Sequence, residues 1–202
     1  YVVIENHKES KKNEKTFCVE NTTITLQRVA KLYRTYFDIP VIGITGSNGK
    51  TSSKNLISTV LSCKYNICTT LGNYNNHIGV PLTVLNINKK TEIAVIEMGA
   101  NHVGEIKKLC EIAQPNYGVV TNVGKAHIGS FGGLQNIIKA KSELYNFLKK
   151  NNKTIFVNKQ DLVLNKQIGK YKKCIYYNYN KLKNSEKKNY FQYNINPFIS
   201  IN

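Results

Sequence analysis

Apolar residues along this chain fall into short runs separated by longer amphipathic stretches. The runs near 41–45, 66–70, 93–98, 117–122 and 154–158 are rich in Val, Ile and Thr, of strand length, and bounded by polar or glycine-containing turns. Between them lie segments long enough for helices. Regular alternation of this kind predicts an α/β fold, a mostly parallel sheet with helices on both faces. Ahead of the first run, residues 19–37 place Leu26, Val29, Ala30 and Tyr33 at helical spacing, and Asp38 and Pro40 close that helix. Residues 5–16 read as a charged surface loop or linker, and residues 181–196 lose all periodicity and read as an edge loop or frayed end.

The first run leads into the segment with the clearest chemistry, GITGSNGKTSS over 43–53. A buried strand enters it, Gly46, Ser47, Asn48 and Gly49 turn the chain, and a helix starts at Lys50 with Leu56, Ile57, Val60 and Leu61 expected on its buried face. Glycines let backbone amides approach phosphate oxygens, and a helix N-terminus favours negative charge. Lys50 then reaches the β and γ phosphates, and the Thr51 hydroxyl holds Mg²⁺. The strict eight-residue pattern needs glycine at position 44, where this chain has Ile44, so the match is to the shorter G-x-x-G-K-T. A nucleotide is the expected ligand, in a P-loop-type sheet.

Further ligands of such a site belong at the ends of neighbouring strands. Glu97 closes the run Ile93-Ala94-Val95-Ile96 and is either a magnesium ligand or an exposed strand-end acid. His127, a few residues beyond the run at 117–122, is either a metal or phosphoryl contact or a structural histidine. Lys141 falls on the same helical face as Leu134, Ile137, Ile138, Leu144, Tyr145 and Leu148, whereas Lys139, Lys149 and Lys150 lie off that stripe and read as solvated. Lys141 either snorkels its head to water or is buried with a lowered pKa, in which case its neutral amine can take up carbon dioxide as a carbamate. The segment 69–81 gathers Asn73, Asn75 and Asn76 directly after a strand, as a turn or as a polar-substrate site.

Composition adds limits. The formal charge of +17 comes almost wholly from lysine, since Arg28 and Arg34 are the only arginines. The lysines are scattered, as AT-rich coding bias alone produces, and no base-reading motif accompanies them, so nucleic acid is not the expected partner. Five cysteines form no CxxC pair, which suits a reduced, cytoplasmic protein, and no apolar run approaches membrane-spanning length. No membrane insertion is expected.

In order, the strings ITGSNGKTSSKNLI, LGNYNNHIGVPLTVL, EMGANHVGEIKKL, TNVGKAHIGSFG and AKSEL, from Ile44 to Leu144, make the chain resemble the Mur ligases. The helix in 19–37 looks like the segment leading into that family's central domain. FVNKQD resembles the family's strand-end site for the adenine end of ATP, at Asn158. The resemblance implies residues 1–38 as a remnant of an N-terminal domain with its linker helix and 39–202 as the central ATP-binding domain, incomplete at its C-terminal end, with the C-terminal ligase domain absent and the fragment alone inactive. It implies a two-step reaction, carboxylate attack on the γ-phosphate followed by amine displacement of phosphate. Lys50, His127 and Lys141 would be catalytic; Gly46 to Ser52 (Gly46, Ser47, Asn48, Gly49, Lys50, Thr51, Ser52) and Asn158 would bind ATP. Thr51, Glu97, His127 and a carbamylated Lys141 would serve Mg²⁺, and Asn73, Asn75, Asn76 and His77 would line the nucleotide-sugar peptide site. His77 stands where the family has Asp or a variable residue. Folylpolyglutamate synthases and other Mur ligases share the loop, but GNYNNHIGVP and EMGANH favour members that join D-alanyl-D-alanine to UDP-N-acetylmuramoyl-tripeptide, acting as monomers. A nucleotide-binding piece without ligase chemistry is the competing reading.

Overall fold

The computed structural model describes residues 1–5, 15–124 and 131–177. His127 and the segment 181–196 lie outside the described residues. Two short strands, β1 (Val2–Glu5) and β2 (Thr16–Val19), pair in parallel ahead of helix α1 (Thr22–Arg34). The helix starts where the Ile24 amide donates to Asn21 Oδ1 at 2.8 Å, which satisfies one of the amides left over at a helix end. Then follow β3 (Val41–Thr45), α2 (Lys50–Ser62), β4 (Ile67–Thr69), α3 (Gly79–Leu85), β5 (Ile93–Glu97), α4 (Glu105–Ala113), β6 (Tyr117–Val120), α5 (Leu134–Lys150), β7 (Thr154–Asn158), α6 (Leu162–Ile168) and β8 (Cys174–Tyr177).

Strands β3 to β8 form one parallel sheet of six in the order β4-β5-β3-β6-β7-β8. From β3 the chain goes to the edge strand β4, returns to β5 between the two, then crosses to β6 on the other side of β3. The order therefore reverses at β3, and the loops leaving β3, β5 and β6 part above it, the place where open α/β sheets bind ligands. The alternation of runs anticipates β3 to β7; the β1–β2 pair, α6 and β8 are additional. CIYY and TFCV are four residues long, and only their pairing partners mark such pieces as strands.

Ala94 and Ile96 face a thick layer in which α1 packs on α3 and α4, and α4 on α5; Glu97 faces α2 on the other side. Gly118 fixes how close α5 comes. A Cβ there would lie 2.3 Å from Leu148 Cδ1, so the missing side chain lets Leu144 and Leu148 settle onto β6. Lys141, one turn before Leu144, is thereby carried to the carboxyl edge of the sheet.

Simple periodicity misplaces some faces. On α2 the buried residues are Lys54 and Ser58, whereas Leu56 and Val60 are 44% and 56% exposed. The helix is turned by polar bonds: Lys54 Nζ donates to Thr70 O at 2.8 Å and the Ser58 and Thr69 hydroxyls pair at 3.0 Å. On α1, Val29 is exposed and Arg34 is buried, while Leu134 is exposed at the start of α5. Lys149 is half-buried and donates to Gln167 O.

Arg34 gives its guanidinium to three backbone carbonyls, Ala113 O at 3.1 Å, Ile39 O at 3.0 Å and Phe37 O. It joins α1, the entry to β3 and the end of α4 in one knot. Arg34→Leu strands these acceptors and should cost on the order of 3 kcal/mol of unfolding free energy, read from the urea midpoint. A midpoint equal to that of the parent chain would contradict this role.

Candidate active site

The turn after β3 is held from the β6 side. Ser47 N donates to Asn122 O at 3.0 Å, and Ser47 Oγ exchanges bonds with Gly124 N and O at 3.0 and 3.2 Å. The Asn122 side chain closes on the Asn48 peptide from both ends, accepting from Asn48 N at 3.1 Å and donating to Asn48 O at 3.0 Å, where the Thr121 hydroxyl also donates at 2.6 Å. Such closeness demands glycine at position 46: φ is +147° and a Cβ would fall 1.9 Å from Thr121 Oγ1. Gly49, at φ +74°, starts α2 without a side-chain cap, leaving the first amides of that helix free of one. Lys50 Nζ lies back across the turn, donating to Gly46 O at 2.9 Å and Ser47 O at 3.1 Å. Burial lowers the Lys50 pKa, while the charge of Glu97 pulls it up.

On the β5 side, Glu97 is buried at 1% exposure. Its Oε1 accepts from Asn75 Nδ2 at 2.8 Å and from the Thr51 hydroxyl at 3.2 Å, and its Oε2 is buried with no partner among the described residues. An ionised carboxylate oxygen in that state is costly unless something positive meets it. A hard divalent cation fits this donor set, and Mg²⁺, which keeps several waters, needs only one or two protein oxygens. Among the described residues no three His, Cys, Asp or Glu side chains converge, so the candidate set is Glu97 with the Thr51 hydroxyl.

A cleft of about 660 Å³ opens beside these groups, with Ser47, Lys50, Asn75, Asn76, His77 and Lys141 in its walls, joined by Gln27, Glu105, Lys108 and Phe131. Lys141 is 4% exposed. Its Nζ lies 5.4 Å from the Phe131 ring centre and 3.4 Å from Ala100 O, long for an ammonium donor. Burial first, and the Lys50 charge second, lower its pKa to about 8, against the opposing pull of Glu105 and Glu143. The segment over Lys141 is anchored by Glu143, which accepts from Gly104 N at 2.5 Å and Lys107 N at 2.8 Å and so caps α4 from α5. Glu105 adds bonds from Asn101 N at 2.7 Å and His102 N at 3.1 Å.

Of the other residues singled out in the sequence, Asn48, Ser52 and Thr51 are exposed along the turn and first helical residues, and Asn73 is exposed without lining the cleft. Asn76 Oδ1 accepts from Ile78 N and Gly79 N, which fastens the start of α3, and His77 O accepts from Gln27 Nε2 at 2.9 Å. Asn158 ends β7, two strands from β3 and so roughly 10 Å away along the same edge. Sequence reasoning passed over Thr121, Asn122, Lys54, Thr70 and Glu143. TNVG is visible in the sequence, but its contact with the turn depends on β6 lying beside β3, which sequence order conceals.

Residues 44–198 match the Mur ligase middle domain family. Over 153 residues the chain is 43% identical to the UDP-N-acetylmuramoyl-tripeptide–D-alanyl-D-alanine ligase of Bacillus subtilis, covering 76% of this chain and 34% of that one. The ligase of the same name from Synechocystis sp. is 47% identical over 128 residues, 63% of this chain and 28% of that protein. Among solved structures, the MurF ligase of Thermotoga maritima in complex with ADP superposes with a TM-score of 0.78 at 34% identity, covering 87% of this chain and 41% of that one. MurF from Acinetobacter baumannii gives 0.76 at 32%, covering 89% and 39%. The chain thus spans about a third of the length of the curated relatives it matches.

Because the Lys50 charge helps depress Lys141, Lys50→Ala should raise the Lys141 pKa above its value of about 8. Nitrogen-detected NMR of the lysine Nζ groups reads this directly, and an unchanged or lower value would contradict the shared cleft. A lysine pKa depressed to about 8 means that the unfolded chain binds more protons between that value and about 10.5, so the contribution of Lys141 to stability rises with pH across this window.

Proposed function

This chain belongs to the Mur ligase family, and from that premise we propose that it is the ATP-using core of a ligase that joins D-alanyl-D-alanine to UDP-N-acetylmuramoyl-tripeptide. One observation carries the reading: Lys50 and Lys141 face one cleft, and Glu97, bonded to Thr51 beside Lys50, keeps a buried oxygen without a partner among the described residues. The names of the relatives and the ADP bound to the Thermotoga structure support the same choice of substrates. Since the chain covers 34% of the Bacillus relative, the activity is proposed for the intact protein.

In this reading a carboxylate of the tripeptide attacks the γ-phosphorus of ATP, the bond to the β-phosphate oxygen breaks, and an acyl phosphate and ADP result. The D-alanyl-D-alanine amine then attacks the acyl carbon, phosphate leaves, and the amine proton is lost to give an amide. Catalysis of this kind is mostly positioning and charge neutralisation. Within the stretch Gly46 to Ser52 the amides that Asn122 does not already hold cradle phosphate oxygens, Lys50 exchanges its contacts with Gly46 O and Ser47 O for the β and γ phosphates, and Asn158 meets the adenine end. Thr51 and Glu97 would hold one Mg²⁺, which would neutralise phosphate charge. His127 and a carbamylated Lys141 would serve a second. A neutral Lys141 amine adds carbon dioxide through its lone pair and releases a proton, and a pKa near 8 keeps a useful neutral fraction at ordinary pH. Asn73, Asn76 and His77 lie toward the nucleotide-sugar peptide. Among the described residues no helix is long and apolar enough to cross a membrane, and we place the protein in the cytoplasm as a monomer.

Phosphate release by the intact protein should require ATP, UDP-N-acetylmuramoyl-tripeptide and D-alanyl-D-alanine together. Release that ignores the last two, or strong salt-dependent DNA binding in its place, would overturn the assignment. Lys141→Ala should abolish turnover and recover partly with added short carboxylates, whereas Lys139→Ala, on the exposed face of α5, should keep activity. Equal losses in both variants would remove the carbamate from the scheme.

A further inference from the structure

Asn75 lies in the segment expected to read the substrate, yet its side chain is turned inward. Nδ2 donates to Glu97 Oε1 at 2.8 Å, the shortest side-chain bond that carboxylate receives. The opposite amide orientation would set two acceptor oxygens against each other, so the donor must face Glu97. On its far side the amide meets Gly99, where a Cβ would lie 2.8 Å from Asn75 Oδ1 and 3.0 Å from its Cγ. The backbone is pinned as well. Asn75 N donates to Asn73 O and Gly99 N donates to Asn75 O, both at 2.7 Å. Gly79 allows the Tyr74 backbone to pass so close that a Cβ there would sit 2.4 Å from it. Nothing in this arrangement leaves the Asn75 amide free to turn toward the cleft without breaking a bond to a buried carboxylate.

The effect on Glu97 is directional. Its backbone is already fixed, because Glu97 N donates to Thr70 Oγ1 at 3.0 Å and Lys54 Nζ holds Thr70 O. Oε1 is then occupied by Asn75 and Thr51, which leaves Oε2 as the single oxygen with unspent lone pairs. A carboxylate held by one oxygen presents the other to a cation at a set angle, as outer donors orient metal ligands in general.

We propose that Asn75 is a positioning residue that locks Glu97 through Oε1 and so aims Oε2 at a divalent cation, rather than a residue that reads the substrate. The proposal rests on the functional reading only in taking Glu97 as a cation ligand. Gly99 is part of the device, since its missing side chain makes room for the amide.

Binding of Mn²⁺ to the intact protein in the presence of ADP, followed by electron paramagnetic resonance of the free ion, tests the idea without turnover. Asn75→Leu, which removes the donor at similar volume, and Asn75→Asp, which keeps the shape but opposes Glu97 with a second carboxylate, should each weaken Mn²⁺ by about 10- to 100-fold. Gly99→Ala, which touches no donor, should weaken it in the same direction by displacing the amide. Metal-free ADP binding should stay at its parental value. Asn75 variants that keep parental Mn²⁺ affinity while Glu97→Gln loses it would sink the proposal and leave the ligase reading intact. Loss of metal-free ADP binding alongside metal affinity would sink it too, by making Asn75 merely structural. A Glu97→Gln protein with full Mn²⁺ affinity would remove the cation reading beneath both.

Discussion

The glycine-bearing turn between β3 and α2 is held from outside itself, because Ser47 N and Oγ and Asn48 N and O are all answered by residues 121–124. The bonds to Thr121, Asn122 and Gly124 on one side, and from Thr51 to Glu97 on the other, hold it between the ends of β6 and β5. That is possible only with β3 between those two strands. The position of Lys50, the room at Gly46 and the orientation of Glu97 all follow from this placement.

A second constraint acts from below. The seat of α5 on Gly118 sets the depth of Leu144 and Leu148, and one turn further the same helix delivers Lys141 into the cleft opposite Lys50. Burial first, and the Lys50 charge in the same cleft second, make the Lys141 amine give up proton affinity. Glu143, on the same helix, caps α4 and fixes the loop whose Ala100 carbonyl meets Lys141. The packing of an apolar helix face thus ends in the electrostatics of the site.

The polar residues of the cleft divide their labour differently from what their types suggest. Asn75 and Asn76 look alike in the sequence, but the first donates to a buried carboxylate and the second accepts from the start of α3. Lys54, one turn after Lys50, is buried on a carbonyl at the end of β4 instead of facing phosphate or water. In each case the partner is backbone or a buried acid, and an unpartnered group in those positions would cost more than the bond it makes.

The amino-acid sequence alone determined the alternation of strands and helices, the glycine-bearing turn between β3 and α2, and the candidacy of Glu97 and Lys141, because strand length, glycine spacing and helical periodicity are local properties. It also carried the family, through five motifs in a set order. Periodicity went wrong at Leu56, Val60 and Val29, where polar anchors at Lys54, Ser58 and Arg34 turned the helices away from their most apolar faces. Only the tertiary structure decided that β6 lies beside β3, that Thr121 and Asn122 grip the turn, and that Asn75 belongs to Glu97. Those contacts join residues 22 to 76 positions apart, and no local pattern encodes which strands become neighbours or which way an amide faces once they do.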